Sequence, residues 1–188
     1  MKVLQINAVN AIKSTGRTCL EMSNYLKAKG HTCITAFSKG PSGDYEHEYR
    51  IGDNIDTKIH GLLSRLTGKQ GYFSFLATKK LLVFMDDYKP DIVLLRNLHG
   101  NYINVPALLK YLAKKDIPTV AVLHDCWFFT GKCCHYTEQG CYKWQNTCGK
   151  CPQLKKYNRS WFYNKTKTML EDKKKLFGAI PRLAVVGV

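Results

Sequence analysis

Apolar residues are distributed along the chain in short runs that alternate with stretches of helical spacing. A short buried strand is predicted at residues 3–6, and a polar turn that ends at Gly16 follows it. The next apolar residues fit one helical face, formed by Cys19, Met22 and Leu26. Gly30 ends this helix, and residues 33–37 form a second strand rich in β-formers. Strand, helix and strand in this order predict a parallel βαβ unit with a right-handed crossover.

The middle and the end of the chain repeat this alternation less regularly. One predicted helix has its apolar face at Ile55, Ile59, Leu62, Leu63 and Leu66. A second apolar helix lies between Phe75 and Tyr88 and stops at Pro90, and residues 91–95 are an apolar run typical of a strand covered on both faces. The other predicted elements are a helix at 105–112, a strand at 119–123, a helix around Trp161 to Phe177 and a strand at 183–186.

Five credible strands alternate with helices, which predicts an α/β fold with an open, doubly wound and mostly parallel sheet. With 188 residues the chain has the length of one domain, so we expect a single Rossmann-like domain over residues 1–188. In such sheets ligands bind outside the carboxyl ends of the strands. That rule directs attention to residues 10–16, 96–104 and 124–131.

The chain carries a net charge of +15, from 29 Lys and Arg residues against 14 Asp and Glu residues. This excess favours anionic partners such as nucleic acid, phosphorylated lipid head groups or sugar diphosphates. The lysines are scattered instead of forming one tract, so a solvated surface explains them equally well. The N-terminus lacks the apolar core of a secretory signal, and no stretch reaches the ~18 apolar residues of a membrane span, so we expect a cytoplasmic protein.

Six of the eight cysteines lie in a Cys-rich excursion at about residues 126–153. Cys148 and Cys151 form a C-x-x-C pair, and Cys141 and Cys133 precede this pair along the chain. Four thiolates satisfy a tetrahedral Zn²⁺ ion, whose binding can fold a loop that lacks a core of its own. We therefore predict a structural zinc ion bound by these four cysteines, with no open coordination position for catalysis.

Three other interpretations of the cysteines are disulfides, a redox C-x-x-C pair and unligated thiols. A reducing cytosol disfavours disulfides, and a thioredoxin-type pair lies at a strand-to-helix turn instead of in a polar loop. Cys126, Cys134 and His135 are substitutes for the first of the four ligands. Cys19 and Cys33 fit the faces of a helix and a strand, and we expect them to be buried thiols.

Three predicted strand ends carry residues suited to binding or catalysis. Gly16 follows the first strand, where the N–H groups of a helix N-terminus can approach a phosphate. His99 follows another strand, and His124 with Asp125 follows the strand at 119–123, where an imidazole can face the cleft. Each feature alone is more often structural, so the indication of a site comes from their occurrence at three strand ends.

Four segments of the chain are distinctive, and they read STGRTCLEMSNYLKAKGH, HGLLSRLTGKQGYFS, KPDIVLLRNLHGNYIN and VLHDCWFFTGKCCHYTEQGCYKWQNTCGKCPQ. They resemble the N-terminal domain of bacterial retaining glycosyltransferases with two Rossmann-like domains, the GT-B fold, of the family 4 type. The resemblance covers nearly the whole chain, and its most specific part is His-Asp-x-Trp-x-x-Thr-Gly followed by spaced cysteines. Enzymes of this type build capsular polysaccharide, exopolysaccharide or lipopolysaccharide.

The resemblance implies that this domain binds the acceptor, a glycan or a lipid-linked sugar, while a C-terminal domain binds the nucleotide-sugar donor. At the matching positions, His124 and Asp125 would be the catalytic residues at the reacting centre. The substrate-binding residues would be Gly16, Arg17, His99 and Asn104. Gly16 would lie near the donor diphosphate, and His99 and Asn104 near the acceptor. Transfer would retain the anomeric configuration and would not require a bound metal.

The sequence departs from the pattern of these enzymes in three places. The segment that leads into the donor-binding domain does not follow residue 188, so we expect that domain to be absent and this part to be inactive alone, or to work with a partner chain that carries it. Arg96 stands where a histidine is commoner. Lys132 stands where a histidine often precedes the first cysteine of the cluster.

Two further hypotheses concern partners. The positive charge and the aromatic residues Trp161, Phe162 and Tyr163 would attach the protein to the anionic inner face of the plasma membrane, although ordinary helix packing explains the aromatics slightly better. The alternative function is a basic, zinc-containing nucleic-acid-binding module, which the lack of a basic recognition helix beside the cysteines disfavours. A nucleotide-dependent reductase is disfavoured because the G-x-G-x-x-G fingerprint is absent.

Overall fold

The computed structural model describes residues 1–42 and 47–188. Within them, strands and helices alternate along the chain. The strands are β1 (Lys2–Val9), β2 (Thr32–Lys39), β3 (Glu48–Arg50), β4 (Ile92–Leu95), β5 (Thr119–Leu123) and β6 (Leu183–Gly187). The helices are α1 (Lys13–Ala28), α2 (Asn54–Thr67), α3 (Phe75–Tyr88), α4 (Val105–Lys114) and α5 (Thr166–Gly178). Between β5 and α5 lie three short 3-10 helices, at Cys126–Phe128, Thr137–Gln139 and Lys143–Gln145.

The six strands of the described chain form one parallel sheet in the spatial order β3-β2-β1-β4-β5-β6. This is the strand order of a doubly wound Rossmann sheet, so the predicted single Rossmann-like α/β domain is confirmed. Val3 of β1 pairs with Cys33 of β2 on one side and with Ile92 of β4 on the other. The chain order therefore reverses between β1 and β4, where sheets of this kind place their ligand.

The core forms because the central strands are apolar enough to be covered on both faces. In β1 every residue after Lys2 is buried, and Leu4 and Ile6 have no exposed surface. On α4 a leucine stripe is buried completely, at Leu108, Leu109 and Leu112. Tyr102 is also fully buried, and its hydroxyl donates a hydrogen bond to the Asn97 carbonyl oxygen at 2.7 Å. The loop after β4 is therefore anchored in the core and not merely laid over it.

Helix α1 buries a different face from the predicted stripe. Cys19 is buried as expected, but Met22 is exposed, and the other buried positions are Gly16 and Ser23. The side-chain amide of Gln5, in β1, donates to the Cys19 carbonyl oxygen at 3.0 Å and to the Ser23 hydroxyl at 2.9 Å. Small and polar groups thus set the contact between α1 and the sheet, which an apolar period cannot reveal.

Helix α2 corrects the prediction more strongly, because three of the five residues of its predicted apolar face are exposed to solvent and the other two are only half-buried. The exposed fractions are 67% for Ile55, 53% for Ile59 and 46% for Leu62. The buried positions are His60, Gly61 and Ser64. His60 Nε2 accepts a hydrogen bond from the Gly71 N–H at 3.2 Å, and Nδ1 lies 2.7 Å from the Ser74 hydroxyl. The helix therefore packs through hydrogen bonds to the following loop and through the half-buried Leu63 and Leu66, and it leaves the other three apolar side chains outside.

Two more predictions need correction. Helix α5 begins at Thr166 instead of near Trp161, and the Asn164 side chain accepts hydrogen bonds from the Thr166 N–H at 3.2 Å and hydroxyl at 2.7 Å. The aromatic residues before it are exposed, so the helix-packing interpretation of them is wrong; the fractions are 46% for Trp161, 69% for Phe162 and 57% for Tyr163. Strand β3 was not predicted because its three residues lie at the edge of the sheet and form no continuous apolar run.

Candidate active site and cysteine cavity

The three segments selected from the sequence meet at the carboxyl edge of the sheet. They follow β1, β4 and β5, which are neighbours in the sheet, and they comprise residues 10–16, 96–104 and 124–131. The Arg96 N–H donates to the Ile6 carbonyl oxygen at 3.0 Å, and the Asn97 N–H donates to the Asn7 side chain at 3.1 Å. The three segments therefore adjoin one another at one edge of the sheet.

His99 and Asp125 form a hydrogen-bonded pair in this region. The Nε2 atom of His99 lies 2.7 Å from Oδ2 of Asp125, and the two side chains are 19% and 15% exposed. The other carboxylate oxygen, Oδ1, accepts a hydrogen bond from the Trp127 N–H at 2.8 Å. The Cys134 sulfur lies 3.7 Å from the same His99 nitrogen, and the three ligand-type atoms of this group lie within 4.8 Å of one another. Both carboxylate oxygens of Asp125 thus already have hydrogen-bond partners within the fold.

Opposing effects set the protonation of this group. Burial acts to raise the pKa of Asp125, but the hydrogen bond and charge of His99 and the Trp127 N–H outweigh it and hold the pKa below its usual value. Burial, followed by the Asp125 charge, raises the pKa of Cys134 to about 12, so this thiol stays protonated at neutral pH. The geometry favours a role for Asp125 in positioning His99 over the predicted catalytic role.

Trp127 and Gln70 hold the His99–Asp125 pair in place through hydrogen bonds. The Gln70 side chain donates to the His99 carbonyl oxygen at 2.6 Å and accepts from the Trp127 indole N–H at 2.8 Å. Lys173 is 5% exposed; its ammonium donates to the Trp127 carbonyl oxygen and lies 3.9 Å from the centre of the indole ring. Burial lowers the pKa of Lys173 to about 7, against the opposing charges of nearby thiols and Asp125. The orientation of His99 is therefore fixed by contacts from α5 and from the loop after α2.

His124, the other predicted catalytic residue, is half-buried at the end of β5. Its Nε2 atom lies 3.5 Å from NH1 of Arg96. Burial, and then the positive charge of Arg96, lower the pKa of His124, while the Asp125 charge acts in the opposite direction. The imidazole is therefore neutral at pH 7 and can accept a proton or a hydrogen bond from a substrate hydroxyl.

Gly16 and Arg17 lie in the first turns of α1. Gly16 is buried, and a Cβ atom there would lie 3.1 Å from the Ala11 nitrogen and 3.3 Å from the Val9 side chain. The glycine therefore allows α1 to start close against the end of β1. Arg17 is exposed. Contact of either residue with a substrate stays a prediction.

Asn104 has a clear part in the fold. The residue is 4% exposed and is the N-cap of α4, where its side chain accepts from the Ala107 N–H at 3.0 Å. Its amide also donates to the Tyr72 carbonyl oxygen at 2.6 Å. Both ends of the side chain are engaged, so an acceptor sugar would have to replace one of these bonds. The role of Asn104 in acceptor binding stays a prediction.

The four cysteines predicted as zinc ligands line one small cavity, and they are Cys133, Cys141, Cys148 and Cys151. The hydrogen bond between Cys133 and Cys151 raises the pKa of Cys133 and lowers that of Cys151 to about 6. Of the substitute ligands considered from the sequence, Cys134 instead contacts His99, and His135 is exposed. The structure therefore brings together the same four thiols that the spacing selected.

Basic residues surround this cavity. Lys132 is 3% exposed, and its ammonium donates to the Leu154 carbonyl oxygen at 2.6 Å. Burial lowers the pKa of Lys132, and the neighbouring cysteines oppose that effect. Lys143 lies at the rim and donates to the Gly149 carbonyl oxygen at 3.4 Å. Positive charge close to thiols favours the thiolate form that binds metals.

The sequence did not predict Gln70 and Lys173, which contact the cleft residues His99 and Trp127 although they are distant from them along the chain. Gln70 is separated from His99 by 29 residues, and Lys173 is separated from Trp127 by 46 residues, so no local motif connects them. One signal was available, since Lys173 lies one helical turn after the buried Met169 and therefore on the apolar face of α5. A lysine at such a position has to find a polar partner inside the protein.

Exposed apolar side chains extend from α2 across the segments beside its end. The Trp161 N–H donates to the Arg65 carbonyl oxygen at 2.8 Å, which joins the exposed aromatic segment to α2. Phe75 and Tyr163 line one groove together with Lys69 and Lys165. We name this region the α2 surface, and its apolar members are Ile55, Ile59, Leu62, Phe75, Trp161, Phe162 and Tyr163. In residues 1–42 and 47–188, every helix is too short or too polar to cross a bilayer.

Comparison with known proteins identifies relatives of this chain. Residues 15–170 match the family described as Glycosyltransferase Family 4. Over 73 residues the chain is 33% identical to the "Putative colanic acid biosynthesis glycosyl transferase WcaC" of Escherichia coli (strain K12), a match that covers 36% of this chain and 18% of that protein. The chain therefore corresponds to a minor part of the length of this relative.

One solved structure is also similar. It is the crystal structure of SsfS6, a glycosyltransferase of Streptomyces sp. SF2575, which matches 65% of this chain and 39% of its own, at 21% sequence identity and a TM-score of 0.36. At that TM-score the match adds nothing to what the strand order of the sheet already establishes.

Proposed function

The chain belongs to glycosyltransferase family 4, and from this membership we propose that it forms the acceptor-binding half of a sugar-transferring enzyme. The donor is a nucleotide-sugar, and the acceptor is a glycan or a lipid-linked sugar in cell-surface polysaccharide synthesis. The observation that carries the proposal is the meeting of His99, Asp125 and His124 at the carboxyl edge of the sheet, inside the matched residues. The name of the Escherichia coli relative supports polysaccharide synthesis as the setting.

In the proposed reaction the bond between the anomeric carbon and the phosphate oxygen of the donor breaks. A bond from that carbon to an acceptor hydroxyl oxygen forms. The nucleotide diphosphate leaves with the electron pair of the broken bond, and its departing phosphate oxygen takes up the hydroxyl proton. We assign His124 to the reacting centre because its neutral imidazole is half-exposed at the end of β5. His99, fixed by Asp125, would hold an acceptor hydroxyl in the geometry that transfer needs. The configuration of the sugar would be retained, without a metal ion in the transfer step.

The donor would be bound mainly by a second domain, in the same polypeptide or in a partner chain. One parallel sheet supplies one wall of a cleft, and the carboxyl edge that carries His99 and His124 would face the other wall. We therefore expect the 188-residue chain alone to bind an acceptor without catalysing transfer.

Ligand binding by the 188-residue chain tests this proposal. Saturation-transfer NMR would compare decyl-pyrophosphoryl sugars, as acceptor probes, with UDP-glucose and GDP-mannose, as donor probes. We expect the acceptor probes to give the stronger signals, and His99→Ala to weaken acceptor binding about fivefold because one hydrogen bond is lost. His31→Ala, at the opposite edge of the sheet, is the control and should bind as the wild type does. Stronger binding of both donors, or acceptor binding that is insensitive to His99→Ala, would contradict the assignment.

We also propose that the cysteine cavity holds a structural zinc ion. Support comes from the donor set itself, because four thiols line one cavity and four Cys ligands satisfy a tetrahedral Zn²⁺ ion. Cys133, Cys141, Cys148 and Cys151 would hold the ion. When bound, it would tie together a segment of turns and 3-10 helices that also contains an aromatic cluster of Phe129, Tyr136, Tyr142 and Trp144.

Elemental analysis of the purified, reduced protein tests the zinc proposal. We expect one zinc ion per chain in the wild type and none in a Cys148→Ser, Cys151→Ser double variant. Cys126→Ser changes a half-buried cysteine of the same segment outside the cavity, and it should keep the ion. Well-folded wild-type protein without zinc would refute the proposal.

The α2 surface is our proposed contact with an anionic membrane. Its apolar side chains are flanked by Lys58, Arg65, Lys69 and Lys165, which is the combination that an interface rich in anionic lipids attracts. Each basic residue close to such a surface contributes about 1 kcal/mol, and each inserted aromatic adds the free energy of apolar burial. A lipid-linked acceptor in the same membrane would then lie close to the bound protein.

Co-sedimentation with vesicles tests this contact. Binding to phosphatidylcholine vesicles that contain phosphatidylglycerol should exceed binding to phosphatidylcholine alone and should fall with added salt. A Trp161→Ser, Phe162→Ser variant should bind at least about tenfold more weakly, because two aromatic side chains no longer insert. The control, Leu20→Ser with Tyr25→Ser, changes two exposed residues of α1 and should bind like the wild type. Equal loss in both variants would refute the role of the α2 surface.

A further inference from the structure

Three side chains of different chemistry lie together in the cleft: His99 from the loop after β4, and Asp125 and Cys134 from the segment after β5. His99 Nε2 lies 2.7 Å from Asp125 Oδ2 and 3.7 Å from Cys134 Sγ. The thiol is also hydrogen-bonded to the Asp125 carboxylate, and all three atoms lie within 4.8 Å of one another. An imidazole nitrogen, a carboxylate oxygen and a sulfur are the three kinds of ligand atom that zinc binds in proteins.

The spacing of these atoms fits a single ion of the size of zinc. With bonds of about 2.1 Å to nitrogen and about 2.3 Å to sulfur, the 3.7 Å between His99 Nε2 and Cys134 Sγ corresponds to an angle of about 114° at the ion, close to the ~109° of a tetrahedron. The 2.7 Å between Nε2 and Asp125 Oδ2 gives only about 80°, so these two atoms would move apart by about 0.7 Å. One ligand pair therefore already has a metal-bound spacing, and one hydrogen bond has to open.

Contacts outside the group already orient two of the three ligands. Asp125 Oδ1 accepts from the Trp127 N–H at 2.8 Å, and Cys134 Sγ lies 3.8 Å from the Asn158 side-chain amide. Outer partners of this kind fix the direction of metal ligands and raise the affinity of a site. The side chains of His99 and Asp125 are 19% and 15% exposed, so an ion can reach them from solvent.

The chemistry of the ligands selects the class of ion. A thiolate and a carboxylate neutralise a divalent cation, which avoids a net charge in a mostly buried group. The Cys134 thiol would give its proton to solvent as the sulfur–metal bond forms, and His99 would bind through Nε2 with its proton on Nδ1. Sulfur and imidazole ligands suit Zn²⁺, Co²⁺ and Cd²⁺, whereas Mg²⁺ and Ca²⁺ require oxygen ligands.

We propose that His99, Asp125 and Cys134 form a binding site for a thiophilic divalent cation of the zinc class, separate from the cysteine cavity. With three protein ligands against the four of the cavity, it would fill on addition of zinc, and water would take the fourth position. A consequence rests on the proposed function: the ion would inhibit, because it would separate His99 from Asp125 and occupy the imidazole that we assign to the acceptor.

Zinc uptake at equilibrium tests the site. Reduced wild type and Cys134→Ser, each shown to be folded by circular dichroism, are dialysed against the same Zn²⁺ solution with Mg²⁺ in excess, and bound zinc is measured by elemental analysis. We expect the wild type to hold one zinc ion per chain more than Cys134→Ser, whether or not the cysteine cavity is filled. Cys126→Ser changes a half-buried cysteine of the same segment and should match the wild type. Equal uptake by wild type and folded Cys134→Ser overturns the proposal.

Cadmium NMR of the wild type is a test that needs no substitution. The cadmium resonance moves upfield as sulfur ligands are replaced by nitrogen and oxygen, so a site with one thiolate and a site with four give separate signals. We expect the one-thiolate signal in cadmium-loaded wild type and in Cys126→Ser. Absence of that signal from the wild type also overturns the site.

The binding of acceptor probes measures the inhibition. Added Zn²⁺ should weaken the saturation-transfer signals of the decyl-pyrophosphoryl sugars with the wild type more than with Cys134→Ser, which also controls for chelation of Zn²⁺ by the pyrophosphate. Zinc uptake that depends on Cys134, without any such difference in probe binding, overturns the inhibitory role. Probes that bind neither protein in the absence of zinc would contradict the proposed function and not the metal site, since zinc uptake is measured without a sugar.

Discussion

The buried hydrogen-bond chain under α2 makes the stability of the fold depend on pH. His60 is 1% exposed; Nε2 accepts from the Gly71 N–H, so Nδ1 carries the proton and donates to the Ser74 hydroxyl, which in turn donates to Asp56 at 2.6 Å. Burial lowers the pKa of His60 to about 4 from the ordinary value of 6.5. The unfolded chain therefore binds a proton between these two pKa values and the folded chain does not, so stability is complete above pH 6.5 and falls as the pH falls toward 4.

The magnitude follows from the two pKa values. A difference of about 2.5 units corresponds to about 3.4 kcal/mol in the free energy of unfolding when the pH lies below both values. Between pH 7.5 and pH 5.0 the same linkage removes about 2 kcal/mol. This loss would loosen the loop that carries Gln70, and through Gln70 it would reach His99 and Trp127.

Urea unfolding of wild type and His60→Gln at pH 7.5 and pH 5.0, followed by tryptophan fluorescence, measures this effect. The advantage of the wild type over His60→Gln should shrink by about 2 kcal/mol at the lower pH, because only the wild type contains the imidazole. Ile59→Gln is the matched control, since it places the same residue at the neighbouring exposed position and removes no titratable group. An advantage that stays constant across the two pH values would refute the linkage argument.

Three other substitutions, one of them with a matched glycine control, test separate contacts by urea unfolding. Gly68→Ala should lower the free energy of unfolding by about 1–3 kcal/mol, because φ is +74° and the new Cβ would lie 2.2 Å from the Tyr163 carbonyl oxygen. The control, Gly140→Ala, has a φ of +53° and open space around it, so it should lower the free energy of unfolding by only about 1 kcal/mol. Gln70→Leu should cost about 1–3 kcal/mol because the buried indole N–H of Trp127 loses its acceptor. Asp125→Asn should cost about 1.5–3 kcal/mol through the loss of the charge-assisted bond to the imidazole after β4, and a cost near zero would contradict the positioning role.

The sequence allowed the sheet to be predicted because β1, β2, β4 and β5 are short runs rich in apolar residues, which are buried or half-buried apart from the ends of β1 and β2. Helix faces were harder to predict. On α2 the leucine and isoleucine positions have helical spacing, yet hydrogen bonds of His60 determine which side is buried. An apolar period records where hydrophobic side chains lie along a helix, but it does not record whether they face the core of the same domain.

For the candidate site, likewise, the positions of residues could be predicted from the sequence but their contacts could not. The rule that ligands bind at the carboxyl ends of parallel strands located His99, His124 and Asp125, because it needs only the order of strands and loops. The rule could not show that the Asp125 carboxylate is hydrogen-bonded to His99 and Trp127, since those contacts depend on side-chain directions set by the whole fold. The burial of Arg96, whose Nε atom has no hydrogen-bond partner among the described residues, is likewise a property of its surroundings, and its position after β4 does not predict it.

The cleft and the cysteine cavity are parts of one structural unit, because two consecutive residues serve them. Cys133 lines the cavity, and Cys134, the next residue, contacts His99 in the cleft. The backbone between them is held on both sides, since the Cys133 carbonyl oxygen accepts from the Thr130 hydroxyl at 2.7 Å and the Cys134 carbonyl oxygen accepts from the Cys126 N–H at 2.9 Å. Order imposed on the four thiols by a bound ion would therefore be transmitted across a single peptide unit to the imidazole that we assign to the acceptor. On this argument a metal ion that takes no part in transfer would still determine how well the acceptor is held.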